Sequence, residues 1–335
     1  MTVTIDDGVL GDDELNAELE RGLQGTAESA AVGEQAPEIR PMWEQVVLYF
    51  FVLGPFVALV AAVVAGIFFG FAPTLLDCVL AVVFYAFAGH GVTIGLHRYF
   101  THGSFKANRP LKIALGIAGS MAVQGPMIRW VADHRKHHAF SDKEQDPHSP
   151  WRYGHGAWNV SKGLWWSHTG WLFDREQTSK EKYAPDLMSD GDLRKIHALF
   201  PVFTVLTILA PGILGGLITQ SWGGFWSAFV WAGLVRIAVL HHVTWSINSI
   251  CHVFGKRPFV SRDESRNVGG PLAVLAFGES WHNLHHAEPT SARHGVDRGQ
   301  IDSTARLIEL FEWFGWARDV RWPKPERLAR KRVSA

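Results

Sequence analysis

Four long apolar segments constrain the fold of this 335-residue chain more than any other feature. Each has close to the roughly 20 residues that a helix needs to cross the hydrocarbon core of a bilayer. A backbone inside lipid must satisfy its own hydrogen bonds, so segments of this kind cross as helices. The segments are residues 46–69, 78–96, 199–218 and 226–243. The sequence therefore predicts an all-α integral membrane protein with four transmembrane helices.

Lysine and arginine residues predict the topology of these helices. Neither residue type occurs in linker 72–77, between the first two segments, or in linker 220–224, between the last two. Both types are frequent between residues 97 and 197 and again after residue 252. Because positively charged loops stay in the cytoplasm, we expect a cytosolic helical cap and cytoplasmic termini. The expected location is the bacterial plasma membrane.

A fifth apolar run, residues 111–128, is interpreted differently. It contains Gln124 and Pro126, which suit a lipid-facing span poorly. A crossing there would also separate the histidine-rich segments on its two sides into different compartments. We therefore predict an interfacial or re-entrant helix.

The ends of the chain differ in composition from the middle. Residues 1–41 are acidic and poor in aromatic residues, which predicts a disordered cytosolic tail. Residues 42–320 form the membrane domain, and residues 321–335 a short basic tail that we expect to bind an electron donor or anionic lipid. The formal net charge is zero and no basic stripe stands out, so no nucleic-acid partner is expected.

Nine histidines form short clusters beside the apolar segments. On a helix, the spacing HxxHH puts its imidazoles on one face, and imidazole is a ligand for iron, zinc, copper and nickel. Nine ligands exceed the capacity of one ion, so the pattern predicts two metals. The candidate ligands are His97, His102, His134, His137, His138, His252, His282, His285 and His286.

The remaining histidines are interpreted as structural or solvated, with His90 as a hydrogen-bonded interior residue. This group includes His155, His197, His241, His242 and His294. Ligating imidazoles are usually oriented by a carboxylate on the other ring nitrogen. The carboxylates nearest in sequence are Asp133, Asp142, Asp146 and Glu279, for which a solvated or helix-capping role is the alternative.

The histidine motifs and their flanks resemble one known family. The chain is similar to membrane fatty acyl-CoA desaturases of the stearoyl-CoA (delta-9) type, in their bacterial, actinobacterial-like branch. The resemblance covers residues 42–320. The segments that carry it are GLHRYFTHGSFKANRPLK (95–112), WVADHRKHHAFSDKEQDPHSP (130–150), GLWWSHTGWLF (163–173), NSICHVFGKRPF (248–259) and GESWHNLHHAEP (278–289).

The resemblance implies a di-iron centre under a cytosolic cap, with His252 as a ninth ligand and Asn248 holding a metal-bound water. It implies oxygen-dependent insertion of a cis double bond, at the delta-9 position, into a long-chain acyl-CoA, with O2 as co-substrate. The two cysteines are too few for an iron–sulfur cluster, and no His-Pro-Gly-Gly haem motif is present. A separate ferredoxin or flavin reductase is therefore the expected electron donor.

Several alternatives stay open from the sequence. Acyl-lipid desaturases and hydroxylases use similar histidine motifs, and a membrane metal-ion transporter would also be rich in histidine. Ala132 stands where vertebrate relatives have an arginine linked to CoA, which leaves Arg129 and Arg175 as head-group candidates. Small residues on the second span, Ala86 and Gly89, are predicted to line a substrate tunnel.

Overall fold

The computed structural model describes residues 38–333, which form a mostly helical protein. Within this range, the helices long and apolar enough to cross a membrane number four, as predicted. We name them α1 (Met42–Phe69), α2 (Leu75–Thr101), α9 (Phe200–Thr219) and α10 (Trp222–His252). The two histidine-bearing spans run past their apolar runs, so that α2 carries His97 and α10 ends at His252.

Tight turns join the spans in pairs at one end of the bundle. The first pair is joined by Gly70, whose positive φ of 70° ends α1, and by Thr74, which caps α2 through a reciprocal bond with Asp77. The turn of the second pair contains Gln220 and Ser221. The Ser227 hydroxyl donates to the Asp77 carboxylate at 2.7 Å, which links the starts of α2 and α10.

The region between the second and third spans contains six α-helices and one 3-10 helix, Gly170–Phe173. The run 111–128 does not cross, because α3 ends at Ser120 and the chain reverses through Val123 and Gly125, both with positive φ. Helices α3 and α4 pack on the part of α2 that is π-helical, Gly91–Thr101. The helices are α3 (Arg109–Ser120), α4 (Met127–Phe140), α5 (Ala157–His168), α6 (Lys180–Tyr183), α7 (Pro185–Ser189) and α8 (Gly191–Ala198).

The segment after α10 completes a cap on the end of the bundle that carries the histidines. Four two-residue strands form two antiparallel pairs, β1 with β3 and β2 with β4. The helices are α11 (Pro271–Leu275), α12 (His282–Ala287), α13 (Ser303–Trp313) and α14 (Pro325–Lys331). The strands are β1 (Glu38–Ile39), β2 (Lys106–Ala107), β3 (Glu176–Gln177) and β4 (Ala317–Arg318).

The structure describes part of each predicted tail. Residues 38–41 belong to the predicted N-terminal tail, yet β1 pairs with β3 in this part; residues 1–37 lie outside the described residues. The C-terminal segment contains α14, which is held on the cap. Its Arg327 and Lys331 bind the Glu288 carboxylate, and Arg332 binds Asp297. These three side chains are therefore ion-paired within the cap, and the binding of a donor or anionic lipid by this tail stays a prediction.

Candidate metal centre

The nine predicted histidines come together in two groups at the capped end of the bundle. In each group the ring nitrogens that could act as ligands lie within 4.8 Å of one another, and nearly all of the side chains are buried. The five-histidine group contains His97, His102, His134, His138 and His285, and the four-histidine group contains His137, His252, His282 and His286.

Each HxxHH motif is divided between the two groups. In α4, His134 and His138 join the five-histidine group, whereas His137 joins the other. The motif in α12 is divided the opposite way: His285 joins the five-histidine group, and His282 and His286 join the four-histidine group. Residues four apart share a helical face but adjacent residues differ in direction by about 100°. The prediction that the three imidazoles of a motif share one helical face therefore needs a correction: two imidazoles of each motif join one group, and the middle one joins the other.

The contacts between ring nitrogens fit a metal better than they fit hydrogen bonds. The Nε2 atom of His285 lies 3.1 Å from Nε2 of His97 and 2.9 Å from Nε2 of His138. The Nε2 atom of His282 lies 3.1 Å from Nε2 of both His252 and His286. Imidazoles bound at about 2.1 Å to adjacent positions of an octahedral ion would have nitrogens about 3.0 Å apart.

Hydrogen bonding alone leaves this arrangement unsatisfied. A neutral imidazole has one N–H, and His252 and His286 each use Nδ1 against a carboxylate, at 2.9 and 2.6 Å. With a single N–H at Nδ1, each would present a lone pair at Nε2 to Nε2 of His282, which has at most one hydrogen to share. Among the described residues, Nε2 of His102 and Nε2 of His137 are buried without any partner. Convergent ring nitrogens of this kind could hold a metal ion.

Carboxylates orient four of the imidazoles from behind. Each contact is made by Nδ1, which leaves Nε2 directed at the group, as in many metal sites. The pairs are His97 with Glu279 at 2.6 Å, His137 with Asp146 at 3.0 Å, His252 with Asp142 at 2.9 Å and His286 with Asp263 at 2.6 Å. Three of these carboxylates were among the four nearest in sequence.

One predicted carboxylate, Asp133, does not contact these imidazoles, and Asp263 takes the fourth place. Asp133 instead hydrogen-bonds Thr178, and burial raises its pKa. Asp263, which sequence reasoning missed, is 23 positions before His286 and reaches it only through the path of the loop after α10. No local pattern marks it. Burial raises the pKa of Asp263, but His286 and His252 outweigh this effect and the net shift is downward.

A buried ionic network supports Glu279. Arg98 is fully buried and its guanidinium lies 3.1 Å from both Glu279 and Asp302. Burial raises the pKa of Glu279, but the His97 imidazole and the Arg98 guanidinium lower it well below its usual range. His294, expected to be structural or solvated, is fully buried with Nδ1 3.4 Å from the same carboxylate. It therefore belongs to the surroundings of the centre.

Burial also favours the neutral form of five of the imidazoles. It lowers the pKa of His102, His134, His138, His282 and His285 well below the usual value, with smaller contributions from neighbouring histidines. A neutral imidazole is the form that binds a metal. The electrostatics of the groups thus prepare them for a cation.

Other predicted site residues lie around the centre. Asn248 is half-buried in α10, one turn before His252, and its side chain makes no hydrogen bond to another described residue. Ala86 is half-buried on α2, where its carbonyl accepts a bond from Nδ1 of His90 at 2.8 Å. A Cβ atom on Gly89 would overlap the ring of Phe277. Gly89 thus makes room for that ring, and not for an open tunnel.

The head-group candidates contact the first described residues of the chain. Arg129 is ion-paired with Glu38 at 3.3 Å, and the Arg175 guanidinium donates to the Arg40 carbonyl. Ala132 is fully buried in α4, so this position offers no contact to a phosphate.

Comparison with known proteins agrees with this centre. A sequence model described as fatty acid desaturase matches residues 73–317. The chain is 41% identical to a hex-5-enoyl-[acyl-carrier protein] acetylenase of Moorena producens, over 76% of this chain and 80% of that protein. It is 36% identical to delta-9 acyl-lipid desaturase 1 of Arabidopsis thaliana, over 75% and 77% of the two chains. It is 37% identical to an acyl-CoA C20 delta5-desaturase of Anemone leveillei, over 71% and 72%. With two histidine groups at the end of four membrane helices, the chain is a member of the fatty acid desaturase family.

Proposed function

We propose that this protein inserts a cis double bond, at the delta-9 position, into a long-chain fatty acyl group. The observation that carries the proposal is the pair of buried imidazole groups, in each of which the ring nitrogens that could bind a metal lie within 4.8 Å of one another. Family membership supplies the class of reaction, an oxidoreductase acting on fatty acyl substrates.

Two irons are the proposed occupants, one for each histidine group, and dioxygen is the proposed co-substrate. An unactivated methylene has no acidic proton and no leaving group, so its oxidation needs the dioxygen chemistry that bound iron supplies. The chain's own residues prepare the site. Asp142, Asp146, Asp263 and Glu279 select the tautomer of four imidazoles by accepting their Nδ1–H bonds.

Two further roles are part of the proposal. The side-chain amide of Asn248 has no hydrogen-bond partner among the described residues. It therefore suits a residue that holds a water beside the four-histidine group. Ala86 is proposed to line the acyl tunnel, since it is small and half-buried on the span that carries His97. Gly89 is not assigned to the tunnel wall, because the ring of Phe277 fills the adjacent space.

Two observations favour a membrane lipid over CoA as the carrier of the acyl chain. Ala132 is buried, and Arg129 and Arg175 are both engaged by residues 38–40. The names of the relatives include acyl-carrier protein, lipid and CoA as acyl carriers, so family membership leaves the carrier open. Acyl-CoA is the second candidate, because a relative of similar identity uses it.

The proposed orientation follows from charge. The capped end carries the basic segments of the chain, so we assign it to the cytoplasm and the spans to the plasma membrane of a bacterium. Electrons are proposed to come from a separate soluble donor. A metal transporter is a weaker candidate, because transporter sites lie near the bilayer midplane, whereas these groups lie at the ends of α2 and α10.

The test is product analysis with the purified full chain in nanodiscs. NADPH, ferredoxin reductase and ferredoxin are supplied with stearoyl phospholipid, stearoyl-CoA or stearoyl-acyl-carrier protein. We expect oxygen uptake and an oleoyl product with the phospholipid, together with two irons per chain. His137→Ala and His285→Ala, one from each group, should abolish product while the spans stay inserted. A hydroxylated product, or full activity with zinc in place of iron, would contradict the proposal.

A further inference from the structure

The loop that follows α10 connects both histidine groups to the protein surface. Within it, the carboxylate of Asp263 lies 2.6 Å from Nδ1 of His286, in the four-histidine group. The adjacent residue, Arg262, donates from Nη2 to the backbone carbonyl of His138, in the five-histidine group, at 2.8 Å. Arg262 is exposed and Asp263 is buried. Two consecutive residues thus span the distance from solvent to both groups.

The same loop is basic at its surface. The loop contains four basic residues and only two acidic ones. The basic residues are Lys256, Arg257, Arg262 and Arg266. One of the acidic residues, Asp263, is buried and used by His286 and Ser265. The other, Glu264, is shared between Arg257 at 2.9 Å and Arg266 at 3.2 Å. The exposed side of the loop therefore keeps a net positive charge, to which Arg262 contributes without an ion pair to a carboxylate of the described residues.

We propose that this loop, residues 256–266, is the docking surface for an acidic, soluble one-electron carrier, with Arg262 at the contact. The inference rests on the proposed function, which requires such a carrier. Each turnover converts a CH2–CH2 unit and O2 into CH=CH and two waters, and consumes two electrons and two protons. Two reduced carrier molecules each lose one electron to supply them.

Charge and position both favour this partner. A positive patch attracts a negative carrier and raises the rate of productive encounter. The contacts of Arg262 and Asp263 put that encounter over the two groups that receive the electrons. The neighbouring helix α14 offers less charge to a partner, because its Arg327, Lys331 and Arg332 are neutralised by Glu288 and Asp297.

The experiment measures donor dependence separately from chemistry. The full chain with Arg262→Glu is reconstituted in nanodiscs of neutral lipid and assayed with a plant-type ferredoxin as the probe. We expect the KM for ferredoxin to rise at least about fivefold, and the difference from the unmodified protein to shrink at high salt. In a single turnover after chemical reduction with dithionite, both proteins should form equal product. Arg262→Lys, which keeps the positive charge, should have a KM for ferredoxin close to that of the unmodified protein.

The matched control is Arg194→Glu, a charge reversal on the exposed side of α8 that should leave the KM unchanged. An unchanged KM in Arg262→Glu would overturn the proposal. Equal loss in the ferredoxin and dithionite assays would also overturn it, since Arg262 would then only hold α4. A KM change confined to nanodiscs of anionic lipid would assign the loop to the membrane surface instead. Absence of product from the dithionite-reduced unmodified protein would contradict the proposed function itself.

Discussion

Four of the nine imidazoles of the centre are held by a carboxylate at Nδ1. In three of them, His97, His252 and His286, Nε2 also lies about 3.1 Å from the Nε2 atom of another histidine. The histidine supplies the ligand atom, and the carboxylate decides which nitrogen carries the hydrogen. Because Asp263 was not identified from the sequence, its role is the most informative to test.

Asp263→Asn should lower the iron content of the four-histidine group. The amide cannot accept the Nδ1–H bond in the same way as a carboxylate, so His286 loses its fixed tautomer. Loss of such a partner typically lowers metal affinity or activity by about 10 to 100-fold. Iron per chain and turnover are the measurements. Asp133→Asn is the matched control, because that carboxylate bonds Thr178 and should retain iron. Equal iron loss in both variants would contradict the assignment.

Asn248→Leu should reduce turnover strongly while iron content stays near that of the unmodified protein. Leucine has a similar volume but cannot hold a water, so a loss of about 10 to 100-fold is expected. Product formation and iron are measured on the same sample. Ser246→Ala, which removes only a bond to the His242 carbonyl, serves as control. Full activity of Asn248→Leu would assign this residue to packing.

At the scale of elements, close approach of helices positions the ligands. Helix α2 is π-helical over Gly91–Thr101, and Gly91 lies against the backbone of Ala118 and Gly119 in α3. A Cβ atom there would overlap main-chain atoms, which cannot turn aside as a side chain can. Since His97 lies less than two turns further along α2, this contact helps to position the His97 imidazole relative to the other histidines.

Gly91→Ala should destabilise the protein by about 1–3 kcal/mol, the usual cost of overpacking. It should also lower iron content, because α2 must move away from α3. Thermal unfolding in detergent and metal analysis are the measurements. Gly54→Ala in α1, where no atom lies within 4 Å of the added Cβ, is the control and should be neutral or slightly stabilising. Equal stability of both variants would show that the contact is adaptable.

Ala86→Phe tests the proposed tunnel on α2. A larger side chain should block the far end of the tunnel, so that preference shifts from about eighteen carbons toward shorter chains, with the double bond at the same distance from the carboxyl carbon. Product chains are compared by mass spectrometry in mixtures of acyl lengths. Val83→Phe enlarges a residue on the exposed side of the same helix and should leave the preference unchanged. An unaltered ratio in Ala86→Phe would place the tunnel elsewhere.

At the scale of the whole molecule, the cap shields titratable groups from water. Burial lowers the pKa of His197 to about 4, and of the ligand candidates His134, His137, His282 and His285 well below the usual value. An unfolded chain takes up these protons near pH 6.5, but the folded chain resists them. Folded stability from these groups is therefore present above about pH 6.5 and lost as the pH falls toward the folded values.

Metal-free protein should accordingly unfold at a lower temperature at pH 5 than at pH 7.5. The iron-loaded protein should release iron over the same range, since protons compete with the metal for imidazole. Unfolding midpoints and bound iron, measured at steps between these pH values, check both effects. A metal-free protein more stable at pH 5 than at pH 7.5 would contradict the assigned burial effect.

The amino-acid order alone is enough to predict the four spans, the non-crossing run 111–128 and all nine members of the histidine groups. These features depend on apolar length, charge and local helical spacing, which neighbouring residues carry. Tertiary structure decided how each HxxHH motif is divided, that Asp263 and not Asp133 supports the centre, and that Phe277 fills the space at Gly89. Each of these depends on contacts between segments far apart in the chain, and local sequence patterns contain no information on such distances.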